Sequence, residues 1–334
     1  MSKVAVFGAG SWGTAFSVVL SDAGHEDVMI WARREELCAT INGSRENTDY
    51  LPGIALPDVV SATHDPAKAA EGAEMVVLAV PSQTLRANLV DWADVLPPDA
   101  LLVSLMKGVE LGTLKRMSEV IAEVTGAPAS RIGVVTGPNL AKEIAQREHA
   151  ASVVACIDED NVARLRRLVH SPTFRPYSST DVIGCELGGA YKNVIGLAVG
   201  MAHGLGFGDN TTASVITRGL AETARLAVAL GADGMTLMGL AGLGDLVATC
   251  SSPLSRNRTF GEKFGQGMST AEIVASTRQV AEGVMTCSSL LDLARKAGVD
   301  APIVEHVHAV VEGDMSAGDM LTSLISRDTR HEKD

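Results

Sequence analysis

Apolar residues fall along this chain in two textures, with the change near residue 181. In the first half they come as short blocks: Val4 to Phe7, "DVMIWA" (Asp27 to Ala32), Met75 to Val80, Leu101 to Leu105, Ile132 to Thr136, Ser152 to Cys156 and Thr173 to Tyr177. Most are separated by stretches long enough for a helix. Short apolar strands alternating with helices predict a mainly parallel, doubly wound sheet. From Asp181 onward, "CELGGAYKNVIGLAVGMAHGLG", "TTASVITRGLAETARLAVALGAD" and "TCSSLLDLARKAGV" carry long helical patterns and no convincing strand. The predicted organisation is α/β: a doubly wound sheet domain over residues 1–180, then an all-α domain over 181–330, joined near the turn-rich "YSSTDVIG" (Tyr177 to Gly184). The tail "SRDTRHEKD" reads as frayed.

The first block runs straight into Gly8, Gly10 and Gly13, followed by a helix-like stretch from Thr14 to Leu20. A strand, a G-x-G-x-x-G turn and a helix make up the dinucleotide fingerprint of a Rossmann-type domain. The first glycine permits the turn, the second lets the backbone approach a pyrophosphate, and the third lets helix and strand pack closely. The phosphates then rest on free N–H groups at the positive end of the helix. A site for NAD usually has an acidic residue at the end of the second strand to grip the ribose 2′-hydroxyl. Here Trp31 and Ala32 lead into Arg33 and Arg34 instead, whose cationic forks suit a 2′-phosphate, so NADP(H) is the preferred cofactor and NAD(H) a possible one. The alternative is that both arginines pair with Glu35 and Glu36 on an exposed helix face.

Composition narrows the partners. A chain of 334 residues with 46% hydrophobic content can bury sizeable cores in about two domains. A formal charge of -12 argues against nucleic acid, whose binding relies on Lys and Arg at phosphates. No export signal is read at the N-terminus, and the uncharged "NVIGLAVGMAHGLGFG" is short and broken by Gly and His, so it reads as a core helix and not as a membrane span. Five scattered cysteines without a C-x-x-C pair suit reduced thiols in the cytoplasm and no metal site.

Ligands of such sheets bind beyond the carboxyl ends of the strands. "AVPSQ", "MKGVE" (Met106 to Glu110) and "TGPNLAKE" (Thr136 to Glu143) fall there. Gly108 lets the backbone beside Lys107 come close to a ligand, and Pro138 suits a helix start, with the amides of Asn139, Leu140 and Ala141 facing an anion. In the second half, Lys192 is an ammonium inside an otherwise uncharged apolar helix, which is costly unless it is paired or functional. Asp245, in the glycine-rich bend of "GLAGLGDLVATC", offers a partner, either in a structural pair or in an acid/base pair. Ser255, Arg256, Asn257 and Arg258 follow as a compact basic cluster.

Taken in order, "GAGSWGTA", "AVPS", "KGVE", "GPNLAKE", "LGGAYKNVIGLAVG", "GFGDNTTASVITRGLAE", "GLAGLGDLVATC", "SRNR" and "VAEGVMT" resemble the blocks of the bacterial NAD(P)-dependent glycerol-3-phosphate dehydrogenases, over nearly the whole chain. The resemblance implies reversible reduction of dihydroxyacetone phosphate to sn-glycerol 3-phosphate, which supplies phospholipid synthesis. It implies Lys192 as the catalytic acid/base. Ser11, Trp12, Arg33, Lys107, Ala141, Arg256, Val280 and Glu282 would contact the cofactor. Lys107, Gly137, Asn139, Asp245, Ser255, Arg256 and Asn257 would hold the substrate. It also implies a homodimer. Met106 departs from the small or hydroxyl residue expected before the lysine. The rival reading is another two-domain dehydrogenase, for a hydroxy acid or sugar acid, because fold alone does not set substrate.

Overall fold

The computed structural model describes residues 3–276 and 281–326. Eight strands form one sheet: β1 (Lys3–Phe7), β2 (Asp27–Trp31), β3 (Val60–Thr63), β4 (Ala73–Leu78), β5 (Leu101–Ser104), β6 (Ile132–Thr136), β7 (Ala150–Ala155) and β8 (Phe174–Ser179). Their order is β3-β2-β1-β4-β5-β6-β7-β8. Every neighbouring pair is parallel except β6 with β7. The apolar blocks of the sequence all lie in this sheet, with ends shifted by one or two residues. β3 is the strand that the pattern does not reveal. Its "VSAT" is half polar, and it lies at the sheet edge paired only to β2.

Helices α1 (Ser11–Asp22), α2 (Glu35–Ser44), α3 (Pro66–Ala70), α4 (Leu85–Trp92), α5 (Met117–Thr125), α6 (Ala141–Ala145) and α7 (Glu159–Val169) connect the strands. After β8 no strand occurs among the described residues. The chain continues through α8 (Val182–Gly204), α9 (Asp209–Ala229), α10 (Asp245–Ser251), α11 (Arg256–Gly265), α12 (Thr270–Ala275), α13 (Glu282–Ala297), α14 (Pro302–Glu312) and α15 (Ala317–Ile325).

The buried spine of this half is α8, with α9, α10, α11, α13 and α14 packed around it. Its glycines set how closely its neighbours approach. A Cβ on Gly200 would lie 2.0 Å from the Arg258 carbonyl oxygen, and one on Gly261 of α11 would lie 2.2 Å from that of Leu197. The two helices therefore cross with their backbones in contact, which larger residues would prevent. Among the described residues no helix is long and apolar enough to cross a membrane.

Two carboxylates fasten α8. The buried Glu186 accepts hydrogen bonds from the Ser118 N–H (2.8 Å), the Ser118 hydroxyl (2.6 Å) and Arg116 (2.6 Å), tying α8 to the start of α5. Asp181 caps α8 by accepting from the Gly184 N–H (2.9 Å) and also takes the Asp233 N–H (3.0 Å). Asp181→Ala is expected to cost about 1 to 2 kcal/mol, the range for a lost N-cap, measured as a lower denaturation midpoint at unchanged slope.

Candidate active site

The turn after β1 is built as its glycines predict. Gly8 sits at φ +125, and a Cβ there would lie 2.4 Å from the Ala79 carbonyl oxygen. A Cβ on Gly13 would lie 2.1 Å from that of Gly8. Gly10 has no atom within 4 Å of that position, so open space lies in front of the helix end. At α3, α7, α8 and α11 a side chain of Asp65, Asp158, Asp181 or Ser255 satisfies the first N–H groups. The N-cap of α1, Gly10, makes no such bond and the first turn carries no acid, which leaves N–H donors and a positive dipole end for an anion. The residues present therefore fit a pyrophosphate. The indole N–H of Trp12, a buried donor, has no partner among the described residues.

One residue that holds this turn escaped the sequence reading. Asn47 is fully buried and donates to the Ala9 carbonyl (2.8 Å) and the Thr14 hydroxyl (2.8 Å), while its oxygen accepts the Tyr50 N–H (3.3 Å). The Ser11 hydroxyl donates to the Tyr50 carbonyl (2.7 Å). Residues 47–50 are thus laced onto the glycine turn, and nothing in their local pattern announces it. Arg33 is exposed past the end of β2. Arg34 pairs with Asp49 of the laced segment, not with a neighbouring glutamate.

The parallel strands β4, β5 and β6 end on one edge, and their loops meet α8 and α10 there. The Lys107 ammonium donates to the Gly137 carbonyl (3.0 Å) and to Asp245 Oδ2. The other carboxylate oxygen, Oδ1, lies 3.2 Å from the Lys192 ammonium. Lys192 also donates to the Thr249 hydroxyl (2.8 Å), a contact one turn of α10 beyond Asp245 that the sequence reading did not include. A π-type turn over Leu240–Gly244 leads into α10 and sets the direction of Asp245. One buried carboxylate thus bridges two ammonium groups. Burial drives the Lys107 pKa down to about 8, further depressed by Lys192 and supported by Asp245. Gly189 makes room for this stem, since a Cβ there would lie 3.2 Å from Lys107 Cγ and 3.1 Å from the Thr136 hydroxyl.

Two carboxamides join the surrounding elements. Asn193 donates to the Lys107 carbonyl (3.2 Å) and accepts from Asn257 (2.8 Å), which in turn accepts the Gly283 N–H (3.0 Å) at the start of α13. Next to that glycine, burial raises the pKa of Glu282, against the opposing pull of Arg256, Lys192 and Lys107. The "SRNR" cluster divides. Ser255 caps α11 by accepting the Arg258 N–H (3.3 Å), and Arg258 is occupied with the Ser251 carbonyl (3.0 Å) and Glu262 (3.0 Å). Arg256 is exposed on the first turn of α11.

Near Gly137 the expectation for Pro138 is corrected. The helix begins only at Ala141 and spans five residues, because Leu140 before it is still extended. Asn139 instead donates to the Ser152 hydroxyl (3.1 Å), which donates to the Thr136 carbonyl (2.7 Å). Val280 lies outside the described residues.

An open sheet with an uncapped glycine turn, whose strand-end Lys107 meets Asp245 and Lys192 of a helical half, defines a dinucleotide-dependent oxidoreductase. The family model of the NAD-dependent glycerol-3-phosphate dehydrogenase N-terminus matches residues 3–162, and that of the C-terminus matches residues 181–322. The chain belongs to this family. The glycerol-3-phosphate dehydrogenase [NAD(P)+] of Streptomyces griseus is 62% identical over 331 residues, covering 99% of this chain and 98% of the relative. That of Thermobifida fusca is 59% identical over 333 residues, covering 100% and 99%. The crystal structure of glycerol-3-phosphate dehydrogenase from Coxiella burnetii superposes with a TM-score of 0.92 at 32% identity, covering 98% of this chain and 99% of that one.

Proposed function

We propose that this protein reversibly reduces dihydroxyacetone phosphate to sn-glycerol 3-phosphate, with NADP(H) preferred and NAD(H) accepted, in a cleft between a dinucleotide-binding domain (1–180) and a helical domain (181–330). The observation that carries the reading is the Asp245 carboxylate shared between Lys107 and Lys192 at the carboxyl edge of the sheet. The bound nicotinamide supplies or accepts the hydride. Gly8, Gly10, Ser11, Trp12 and Gly13 hold the pyrophosphate at α1, Arg33 reads the 2′-phosphate, and Ala141, Arg256 and Glu282 complete the cofactor cleft.

As a hydride reaches the ketone carbon, negative charge builds on the carbonyl oxygen. Lys192 donates its proton there and stabilises the charge in the same step, and in the reverse direction it takes the hydroxyl proton back. Asp245 fixes the lysine on one side and Thr249 on the other, so little rotamer freedom remains to be lost in the reaction. Lys107, Gly137 and Asn139 line the strand-edge side of the substrate. Ser255, Arg256 and Asn257 receive its phosphate, with Asn257 linking that end to Lys107 through Asn193. The five cysteines are buried and unpaired, which supports a cytoplasmic home, and the family resemblance supports a homodimer.

The test is NAD(P)H oxidation with dihydroxyacetone phosphate, run beside a 2-keto acid and a sugar acid. Turnover on the triose phosphate alone is expected, and preferred turnover on either of the others would overturn the reading.

The lysine pair also sets a pH dependence. Lys107 carries its proton below about pH 8 and loses it above, so kcat/KM is expected to fall on the alkaline side of about 8. Asp245→Asn removes the attraction that supports the charged form and is expected to move that limb to lower pH. Between about 8 and the ordinary lysine value the unfolded chain binds more protons than the folded one, so stability from this group rises with pH while activity falls. Melting temperatures recorded beside the rate profile separate the two.

A further inference from the structure

The dual cofactor use proposed above raises a question that β2 leaves open: which group serves the ribose of NAD(H), when no carboxylate follows the strand? The fold answers it from another segment. Asn47, Ser11 and Tyr50 lace residues 47–50 to the glycine turn, and the segment so held carries Asp49 to the start of α2, where it pairs with Arg34. Asp49 and Arg34 are each about half exposed, so the pair opens readily.

We infer that Asp49 is a specificity-determining residue. It supplies from the loop after α2 the carboxylate that accepts the ribose hydroxyls of NAD(H), and it competes with the 2′-phosphate of NADP(H) for Arg34. With NADP(H), Arg34 turns from Asp49 to the phosphate and joins Arg33. With NAD(H), Asp49 keeps Arg34 and takes the hydroxyls. One ion pair thus serves both cofactors, and its charge balance sets how far the enzyme leans to either. The inference rests on the cofactor reading given above.

The test is equilibrium binding, followed by the fluorescence of NADPH and NADH and by competition with 2′,5′-ADP, none of which needs turnover. Asp49→Ala is expected to tighten NADPH and 2′,5′-ADP about threefold to fivefold, the scale of an exposed ion pair removed, and to weaken NADH about tenfold, the scale of a hydrogen bond to a charged group. Asp49→Asn keeps an acceptor and is expected to tighten NADPH with a smaller loss of NADH. Arg34→Ala should weaken NADPH and leave NADH nearly unchanged. Equal changes for both cofactors in Asp49→Ala would make the residue a mere brace of the loop and overturn the inference, as would no change at all. Arg33→Ala keeps the two levels apart. If it lowers NADPH affinity selectively while Asp49→Ala does not alter the ratio, the cofactor reading stands and this inference falls. If it leaves the ratio intact, the 2′-phosphate reading falls, and the inference with it.

Discussion

Lys192→Ala is expected to fold, to bind NADPH as the parent does, and to lose about 10²-fold or more in kcat, the range for removing a general acid. Removing one partner of a buried pair would ordinarily strand the other and cost about 3 to 5 kcal/mol. Here Asp245 keeps its bond to Lys107, and Thr249, which only accepts from Lys192, is not left as a buried ion. The melting temperature should therefore stay close to the parent's while turnover collapses. Kinetics, thermal melts and an NADPH titration on one preparation check this. A large drop in stability with proportionate loss of rate would make the lysine structural. Near-parental turnover would remove it from the mechanism.

Arg256→Ala is expected to lower kcat/KM for dihydroxyacetone phosphate about 10²-fold, since losing a partner of a bound charge costs on the order of 2 to 5 kcal/mol. Reduction of unphosphorylated dihydroxyacetone should barely change. The structure strengthens the case for this arginine over its neighbour. Arg258 is bound to Ser251 and Glu262, so Arg256 rather than Arg258 is proposed as the phosphate's cationic partner, while Ser255, which accepts the Arg258 N–H, keeps its own O–H to donate. Arg256 pulls electrostatically on Glu282, which is proposed to line the cofactor cleft. Both substrates must therefore be compared at saturating NADPH. Equal losses would mean that Arg256 serves the cofactor and that the phosphate anchor lies elsewhere.

The sequence by itself determined whatever depends on the backbone preferences of consecutive residues and on burial periodicity. Gly8, Gly10 and Gly13 between an apolar run and a helix mark a turn that few other arrangements explain, and the sheet's apolar blocks are legible because a parallel strand covered on both faces must be apolar throughout. Lys192 stood out for the same reason, as the one ammonium in a largely apolar helix. Edge strand β3 was not legible, since only Val60 and Ala62 of its four residues are apolar.

Only the tertiary structure decided which charges meet. Among 40 acidic and 28 basic residues, nothing local says that Asp245 bridges Lys192 to Lys107, a residue 138 positions away. Nor does anything local say that Arg34 chooses Asp49 over the adjacent Glu35, or that Asn47 braces a turn almost forty residues earlier. Hydrophobic periodicity places elements because burial is non-directional and additive along the chain. Ion pairs and hydrogen bonds are directional and short-ranged, so their partners are chosen only once α8, α10 and the strand-end loops have packed together.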